Sequence, residues 1–209
     1  MHPNLTILDN PLARHHMTIL RDKQTGSDAF RTATRRLATA LVHEAARWFE
    51  MEDIVVETPL ERTTGERIRK DIVAVAVLRA GLGLLEGITR QIPDLKVGYV
   101  GVFRDEATAQ PREYYTNLPD LSDAHVLVLE PMLATGGSLS WAIDRVKASG
   151  GSDITALCVC AAPAGVERMA EDHPDVRVIT ASLDRELDYR FYIRPGLGDM
   201  GDRLFGTTD

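Results

Sequence analysis

The chain has 209 residues, of which 44% are apolar, and this length allows one sizeable hydrophobic core. It carries 24 Lys and Arg against 31 Asp and Glu, which gives a formal net charge of −7. An acidic chain without a block of Lys or Arg is not typical of a nucleic-acid-binding protein, and its longest uncharged stretches are shorter than a membrane span requires.

A long amphipathic helix is the first element that the sequence predicts. Ser27 is a candidate N-cap for this helix, because its hydroxyl can accept a hydrogen bond from a backbone N–H of the first turn. From Phe30 to Trp48, apolar residues recur at steps of three and four, which is the spacing of one helical face.

Five short apolar segments further along the chain predict β-strands. Helices are predicted from about Leu82, from Leu139 to Ser149 with Gly150 as the stop, and after Pro163. Strands that are apolar on both faces and alternate with helices are typical of a parallel sheet covered on both sides. We therefore expect an α/β fold with a central parallel five-stranded sheet flanked by helices. The five strands are residues 72–78, 97–102, 125–130, 154–162 and 176–180.

The two cysteines, Cys158 and Cys160, lie within the fourth predicted strand. Residues two apart in a strand point to the same face, so we interpret them as buried thiols of the core. A metal site would need further ligands nearby. The N-terminal segment lacks the apolar stretch of a signal peptide, and we expect a cytoplasmic protein.

The most informative segment follows the third predicted strand and reads EPMLATGGS, residues 130–138. Its two glycines let a ligand oxygen approach the backbone closely, and the helix that follows offers unsatisfied N–H groups and a positive dipole end. The hydroxyls of Thr135 and Ser138 add donors, while the Glu130 carboxylate can accept from two ribose hydroxyls. This pattern predicts a site for a phosphorylated ribose.

The segment EPMLATGGS also resembles the phosphoribosyl pyrophosphate loop of the uracil phosphoribosyltransferases, a branch of the type I phosphoribosyltransferases. Most other type I families have two successive acids before the turn, whereas this chain has Pro131 in the second position. Further segments resemble the same family in the same order. They are residues 2–22, HEAAR at 43–47, LRAGLGLLEG at 78–87, FRDEATAQPREYY at 103–115 and YIRPGLGDMGDRLFG at 192–206.

The resemblance implies a role for particular residues. The donor would be bound by Arg79, Arg104 and Asp199 together with Glu130, Pro131, Met132, Leu133, Ala134, Thr135, Gly136, Gly137 and Ser138. Uracil would be bound at Ile193, Gly198, Asp199 and Met200, largely through the backbone. Arg104, Glu130 and Asp199 would act in catalysis by positioning and by electrostatic stabilisation.

The family reaction joins uracil to phosphoribosyl pyrophosphate and gives UMP and diphosphate. The resemblance implies Mg²⁺ as cofactor, bound through substrate oxygens and with Asp199 as a candidate ligand, without a dedicated protein cage. It also implies a homodimer or larger homo-oligomer. The polar segment that begins at Arg104 is a candidate lid, and Tyr114 and Tyr115 either close over the site or pack the loop.

We expect a single domain over residues 1–209, with a core of about 70–182. The tail from about 183 has no clear periodicity, and with the N-terminal segment it would form a hood over the site.

The chain departs from the family mainly around the base. Glu130 replaces Asp in the loop, Glu186 replaces Gly, Asp188 replaces Asn, Phe191 replaces a small residue and Met200 replaces Ala. Two other functions therefore stay open alongside uracil transfer. One is the use of the same donor with a different pyrimidine-like base, and the other is a regulatory protein that binds donor or nucleotide without turnover.

Overall fold

The structure is a computed structural model that describes residues 4–104 and 111–207, with only the backbone described at residues 103, 104, 111 and 112. The helices are α1 Pro11–Arg21, α2 Ser27–Ala45, α3 Leu82–Thr89, α4 Gly137–Ala148, α5 Pro163–Asp172 and α6 Met200–Phe205, and a 3-10 turn at Ala46–Trp48 follows α2.

The strands form one large sheet and two short hairpins. They are β1 Leu5–Ile7, β2 Met51–Glu57, β3 Arg62–Ile68, β4 Asp71–Leu78, β5 Lys96–Arg104, β6 Pro111–Asn117, β7 Ala124–Leu129, β8 Met132–Leu133, β9 Asp153–Ala161, β10 Arg177–Leu183, β11 Glu186–Leu187 and β12 Ile193–Arg194. The large sheet has the order β1-β10-β9-β7-β4-β5-β6, and β8 pairs with β9 beyond the end of β7. All neighbouring strands in it are parallel except β5 and β6.

The core lies on both faces of this sheet, as the apolar strands predict. In β4, Ala74 and Ala76 face one hydrophobic cluster while Val73, Val75 and Val77 face the other, because successive strand residues point to opposite sides. Helices α1, α2 and α3 pack on the first face, and α4 and α5 pack on the second. The central strands β4, β7 and β9 are therefore covered on both sides, which confirms the predicted α/β class.

All five predicted strands are present, but the sheet is larger than five strands. The edge strand β1 adds a sixth parallel member, and β6 pairs antiparallel with β5 at the other edge. The prediction that the polar segment from Arg104 is a loop was wrong from residue 111 onward, because Pro111–Asn117 form β6. The pairing satisfies backbone groups regardless of how polar the side chains are.

The described residues also include a predicted helix N-cap, a predicted helix stop and the two cysteines. The predicted N-cap Ser27 was wrong by one position, because Gly26 holds the extended backbone and Ser27 is already helical. Gly150 has a φ of 95° just beyond α4 and stops that helix as predicted. Cys158 and Cys160 are buried and free, as predicted. In the described ranges, no helix has both the length and the apolar character needed to cross a membrane.

Candidate active site

The predicted phosphate loop connects β7 to α4 at the carboxyl edge of the sheet. After Glu130 and Pro131 the short strand β8 pairs with β9, and the chain then turns into α4 at Gly136. Gly136 has a φ of 79°, which L side chains rarely adopt, so this position favours glycine. The backbone N–H groups of the first turn of α4 are therefore presented at this edge, where a phosphate can accept them.

Glu130 is partly buried directly after β7. Desolvation by burial raises the pKa of this carboxyl to about 8, although a hydrogen bond from the Met132 backbone N–H acts in the opposite direction. At neutral pH the carboxyl is therefore mostly protonated in the free protein. It becomes an acceptor-only group if a ligand supplies donors that stabilise the charged form.

Arg79 follows β4, one strand away from the phosphate loop, and the Leu78–Arg79 peptide bond is cis. Its side chain is 57% exposed, and its Nη2 lies 3.6 Å from Oδ1 of Asp202 in α6. The guanidinium also lies 5.9 Å from the centroid of the Phe205 ring. The arginine predicted to bind pyrophosphate is thus exposed at the carboxyl edge and lies beside the C-terminal helix.

The two glycines after Arg79 are needed for close packing. A Cβ on Gly81 would lie 2.4 Å from the Leu129 carbonyl oxygen and 2.6 Å from that of Val77, which are backbone atoms of the two central strands. A Cβ on Gly83 would lie 2.5 Å from Cδ1 of Leu204 in α6. Gly81 brings α3 against the sheet, and Gly83 lets α6 pack on α3.

The predicted base segment runs from β12 to the start of α6. Ile193 is buried, Gly198 has a φ of 82°, and the Asp199 side chain caps α6 by accepting from the Asp202 N–H at 2.8 Å. This cap gives Asp199 a structural role whether or not it binds ligand. Met200 is 2% exposed and packs into the core cluster on the α1 face.

The phosphate loop and the base segment meet across one cleft of about 270 Å³. Four residues of the loop lie on one side, and the β11–β12 turn and the start of α6 lie on the other. The structure therefore brings together two segments that are about 60 residues apart in sequence. The lining residues are Met132, Ala134, Thr135, Ser138, Arg190, Phe191, Tyr192, Ile193, Gly198, Asp199 and Met200. The side chains of Pro131 and Leu133 are buried beneath the loop.

A buried ion pair holds the base segment in place, and the sequence did not reveal it. Asp184, just beyond β10, accepts from both terminal nitrogens of Arg21 at 2.6 and 2.7 Å and from the Gly196 N–H at 2.8 Å. Arg21 also donates to the Gly196 carbonyl oxygen at 2.9 Å and to Ser182 at 2.8 Å. We call Arg21, Ser182, Asp184 and Gly196 the tail clamp, because they join the end of α1 to the base segment.

The electrostatics of the tail clamp favour the charged form of Asp184. Burial would raise its pKa, but hydrogen bonds from Arg21, Ser182 and the Gly196 N–H outweigh burial and hold the pKa well below its usual range. Arg203 strengthens the same connection, since it donates to the carbonyl oxygens of Leu197 at 2.7 Å and Asp22 at 2.6 Å. The tail thus packs on the N-terminal helices, although the predicted domain boundaries stay predictions.

Arg168 of α5 is another residue that the sequence did not single out. One of its terminal nitrogens, Nη1, would lie 3.3 Å from a Cβ placed on Gly137, and Thr135 Oγ1 would lie 3.8 Å from the same point. Its guanidinium also donates to Asp172 at 3.1 Å. A cation is therefore present beside the phosphate loop. Its position on a separate helix explains why no motif indicated it.

Two predicted features lie at the edge of the described residues. Arg104 ends β5 and pairs through its backbone with Pro111, but its side chain lies outside the described residues, as do residues 105–110 of the candidate lid. Tyr114 packs across the β5–β6 pair, where its ring occupies the space that a Cβ on Gly101 would enter. Tyr115 is 45% exposed on the same strand.

The predicted Mg²⁺ site has suitable oxygen donors but no protein cage in the part of the chain that the structure describes. No group of three or more His, Cys, Asp or Glu side chains there could hold a metal ion. The carboxyls of Glu130 and Asp199 are hard oxygen ligands of the kind that Mg²⁺ prefers, and Asp199 lines the cleft.

The fold and the cleft together define the class to which this protein belongs. A doubly covered parallel sheet with a glycine-containing loop at a helix start, which shares a cleft with the C-terminal segment, is the arrangement of a type I phosphoribosyltransferase. The crystal structure of a hypoxanthine-guanine phosphoribosyltransferase from Bacillus anthracis shares this fold, with a TM-score of 0.51 at 14% identity over 76% of this chain and 80% of that one.

The closer comparisons identify the family. The family profile described as uracil phosphoribosyltransferase matches residues 7–207. A uracil phosphoribosyltransferase of Salinibacter ruber is 49% identical, with 99% of each chain covered, and one of Listeria innocua is 48% identical over 98% of this chain and 99% of that one. The solved AQ2163 protein from Aquifex aeolicus has a TM-score of 0.93 at 34% identity, covering 98% of this chain and 99% of that one. The chain belongs to the uracil phosphoribosyltransferase family.

Proposed function

We propose that the protein transfers the phosphoribosyl group of phosphoribosyl pyrophosphate to uracil and releases UMP and diphosphate, as an enzyme of pyrimidine salvage. The observation that carries this proposal is the cleft in which the phosphate loop faces the base segment. Membership of the family and the names of the relatives support the same reaction, and they lend no support to a different base or to a regulator without turnover.

In this reaction N1 of uracil displaces diphosphate from the anomeric carbon, through a transition state with positive charge on the ribose ring. The protein needs to position the two substrates and to stabilise the leaving group. The loop around Gly136 would bind the 5-phosphate, and Glu130 would orient the ribose hydroxyls. Arg79 and Arg104 would stabilise the charge that develops on diphosphate. Mg²⁺, when bound through the substrate with Glu130 and Asp199 nearby, would neutralise part of the diphosphate charge.

A panel of bases tests the proposed function directly. Purified protein is incubated with labelled phosphoribosyl pyrophosphate, Mg²⁺ and each of several pyrimidines and purines. We expect turnover with uracil alone. Turnover with another base would indicate altered specificity, and tight donor binding without turnover would indicate a regulatory protein. The cytoplasmic location and the homo-oligomer remain predictions, the second of which sedimentation measurements can check.

Replacing Arg104 with alanine should lower kcat/KM for the donor by about 10- to 150-fold. The reason is the loss of one charge-assisted hydrogen bond to the leaving group, which contributes about 1.5–3 kcal/mol. Steady-state kinetics with varied donor measure the effect. The exposed Arg62, on the β2–β3 hairpin, gives a control in which one positive charge is also lost. An unchanged kcat/KM in Arg104→Ala would remove Arg104 from the mechanism.

Donor binding should release a proton from Glu130. Its raised pKa, about 8, leaves the free carboxyl mostly protonated at pH 7, whereas ribose hydroxyls that donate to it favour the charged form. The affinity for phosphoribosyl pyrophosphate should therefore rise from pH 7 to pH 9, by up to about tenfold per pH unit below the pKa.

Calorimetry in two buffers of different ionisation enthalpy measures the protons released on donor binding. At pH 7 the wild type should release close to one proton more than Glu130→Gln, which cannot ionise and so controls for the titration of the donor phosphates. Equal proton release by the two proteins would show that Glu130 does not ionise on binding.

A further inference from the structure

The turn between β11 and β12 has a rigid hydrogen-bonded geometry. Asp188 Oδ1 accepts from the backbone N–H groups of Arg190 at 2.9 Å and Tyr192 at 3.0 Å, while Oδ2 accepts from the Arg194 guanidinium at 2.8 and 3.0 Å. The Phe191 N–H donates to the Asp188 carbonyl oxygen at 2.9 Å. These hydrogen bonds hold the backbone of the turn in one conformation.

Within this turn, Phe191 occupies a conformation that does not suit phenylalanine. Its φ is 65°, and it is the one non-glycine residue with a positive φ in residues 4–104 and 111–207. A bulky residue is an outlier in this region, where glycine and asparagine are favoured. Half of the residue is also exposed, so burial in the core does not explain its presence. Strained positions of this kind cluster at ligand sites.

The position of the ring gives it a role. Phe191 lines the same cleft as Thr135 of the phosphate loop and Gly198 to Met200 of the base segment. The neighbouring Tyr189 is 82% exposed, is not part of the cleft lining and has the Arg190 guanidinium 5.2 Å from its ring centroid. Phe191 and Tyr192 of this turn thus line the cleft, whereas Tyr189 lines a neighbouring cavity of about 320 Å³ that shares Ile193 and Gly198 with it.

We propose that Phe191 is a base-contacting residue whose ring stacks on the face of a planar pyrimidine held against residues 198–200. The inference deepens the proposed function and rests on it, because it requires a nucleobase in this cleft. An aromatic ring offers an apolar face that the backbone groups of the base segment lack. Stacking between a base and an aromatic side chain is strong enough to affect affinity and does not depend on the pattern of hydrogen-bonding groups.

The test uses two substitutions that remove the ring while suiting the backbone, Phe191→Gly and Phe191→Asn. We expect each to raise KM for uracil about tenfold, which corresponds to about 1.4 kcal/mol, and to leave KM for the donor within about twofold. The dissociation constant of UMP, measured by calorimetry, should rise by a similar factor. The melting temperature of both variants should equal or exceed that of the wild type, because the positive φ no longer carries a bulky side chain.

Two further variants give matched controls. Phe191→Tyr retains the ring and should keep the wild-type KM for uracil. Tyr189→Ala removes the neighbouring exposed ring and should leave both KM values unchanged. Unchanged uracil KM and UMP affinity in both ring-less variants would overturn the inference. A lower melting temperature in both variants would also overturn it, because the ring would then serve packing. An equal rise in the KM for uracil in Tyr189→Ala would overturn it as well.

The failure of this inference can be distinguished from that of the proposed function. If the wild type does not convert uracil, the proposed function fails, and the binding of UMP to wild type and Phe191→Gly still tests the stacking. Equal UMP affinity in these two proteins overturns the inference. If the wild type converts uracil and Phe191→Gly does so with the same KM, the function stands and the stacking contact is wrong.

Discussion

Replacing Asp184 with alanine should lower the free energy of unfolding by about 3 kcal/mol. Removing one partner of a buried ion pair leaves the other charge uncompensated, which costs about 3–5 kcal/mol. We expect the lower end of this range because the Arg21 side chain is 28% exposed, whereas the Asp184 side chain is only 2% exposed. The Gly196 N–H also loses its acceptor. Urea unfolding of the wild type and the variant measures the difference.

The exposed pair between Arg14 and Asp9 provides the control for this prediction. It also involves α1, at 2.5 Å, but the two side chains are 62% and 94% exposed. Asp9→Ala should therefore cost less than about 1 kcal/mol. Equal losses in Asp184→Ala and Asp9→Ala would show that the tail clamp contributes no more than a surface pair.

The tail clamp should also show a defined pH dependence. The pKa of Asp184 is depressed in the folded protein, so its stabilising contribution is fully present above the pKa of the unfolded carboxyl, about 4. It is lost as the pH falls below that value towards the folded pKa. The difference in unfolding free energy between wild type and Asp184→Ala should accordingly be constant from pH 5 to pH 8 and shrink below about pH 4. A difference that grew on acidification would contradict the assignment of Asp184 as the charged partner.

Loss of the clamp should affect the base more than the donor. Arg21 and Asp184 hold Gly196 from both sides, through its N–H and its carbonyl oxygen, and Gly198 of the cleft lies two residues further on. We therefore expect a larger rise in KM for uracil than for phosphoribosyl pyrophosphate in the folded Asp184→Ala protein. The phosphate loop belongs to β7 and α4 and does not depend on this contact.

The elements that the sequence predicted are those whose burial leaves a pattern. The strands β4, β7 and β9 are buried on both faces and read as largely apolar segments, and residues 72–78 are apolar without a break. The phosphate loop was predictable because its glycines, hydroxyls and acid are contiguous. Family resemblance then added Arg79 and the base segment, which no local pattern links to the loop.

The β2–β3 hairpin shows why other parts were not predicted. Its strands, Met51–Glu57 and Arg62–Ile68, are largely exposed and so lack a consistent apolar alternation. The tail clamp joins Arg21 to Asp184, 163 residues later, and neither residue lies in a motif that indicates pairing. The positive φ of Phe191 could not be predicted for a different reason. Phenylalanine rarely adopts this conformation, so the residue type indicates a negative φ.

Replacing Gly81 with alanine should destabilise the protein by at least about 3 kcal/mol. The new Cβ would lie within 2.4–2.7 Å of three backbone atoms, which belong to Leu129 and Val77. Overpacking in a well-packed core commonly costs about 1–3 kcal/mol, and the upper part of that range or more applies here because strand backbone cannot rotate away as a side chain can. Relief requires α3 to move off the central strands β4 and β7.

Two other glycines provide comparison variants, because a Cβ would meet a weaker obstacle or none at these positions. At Gly83 the obstacle is the flexible end of Leu204, so Gly83→Ala should cost only about 1 kcal/mol. At Gly26 a Cβ meets nothing within 4 Å, and Gly26→Ala should stay within about 1 kcal/mol of the wild type. In urea unfolding of the three variants, the loss of unfolding free energy should be much larger for Gly81→Ala than for the other two.

Because Arg79 lies two residues before Gly81, the Gly81→Ala protein that remains folded should also bind diphosphate more weakly, whereas Gly26→Ala should bind it normally. A Gly81→Ala protein with wild-type stability would mean that α3 does not lie against the sheet as closely as described.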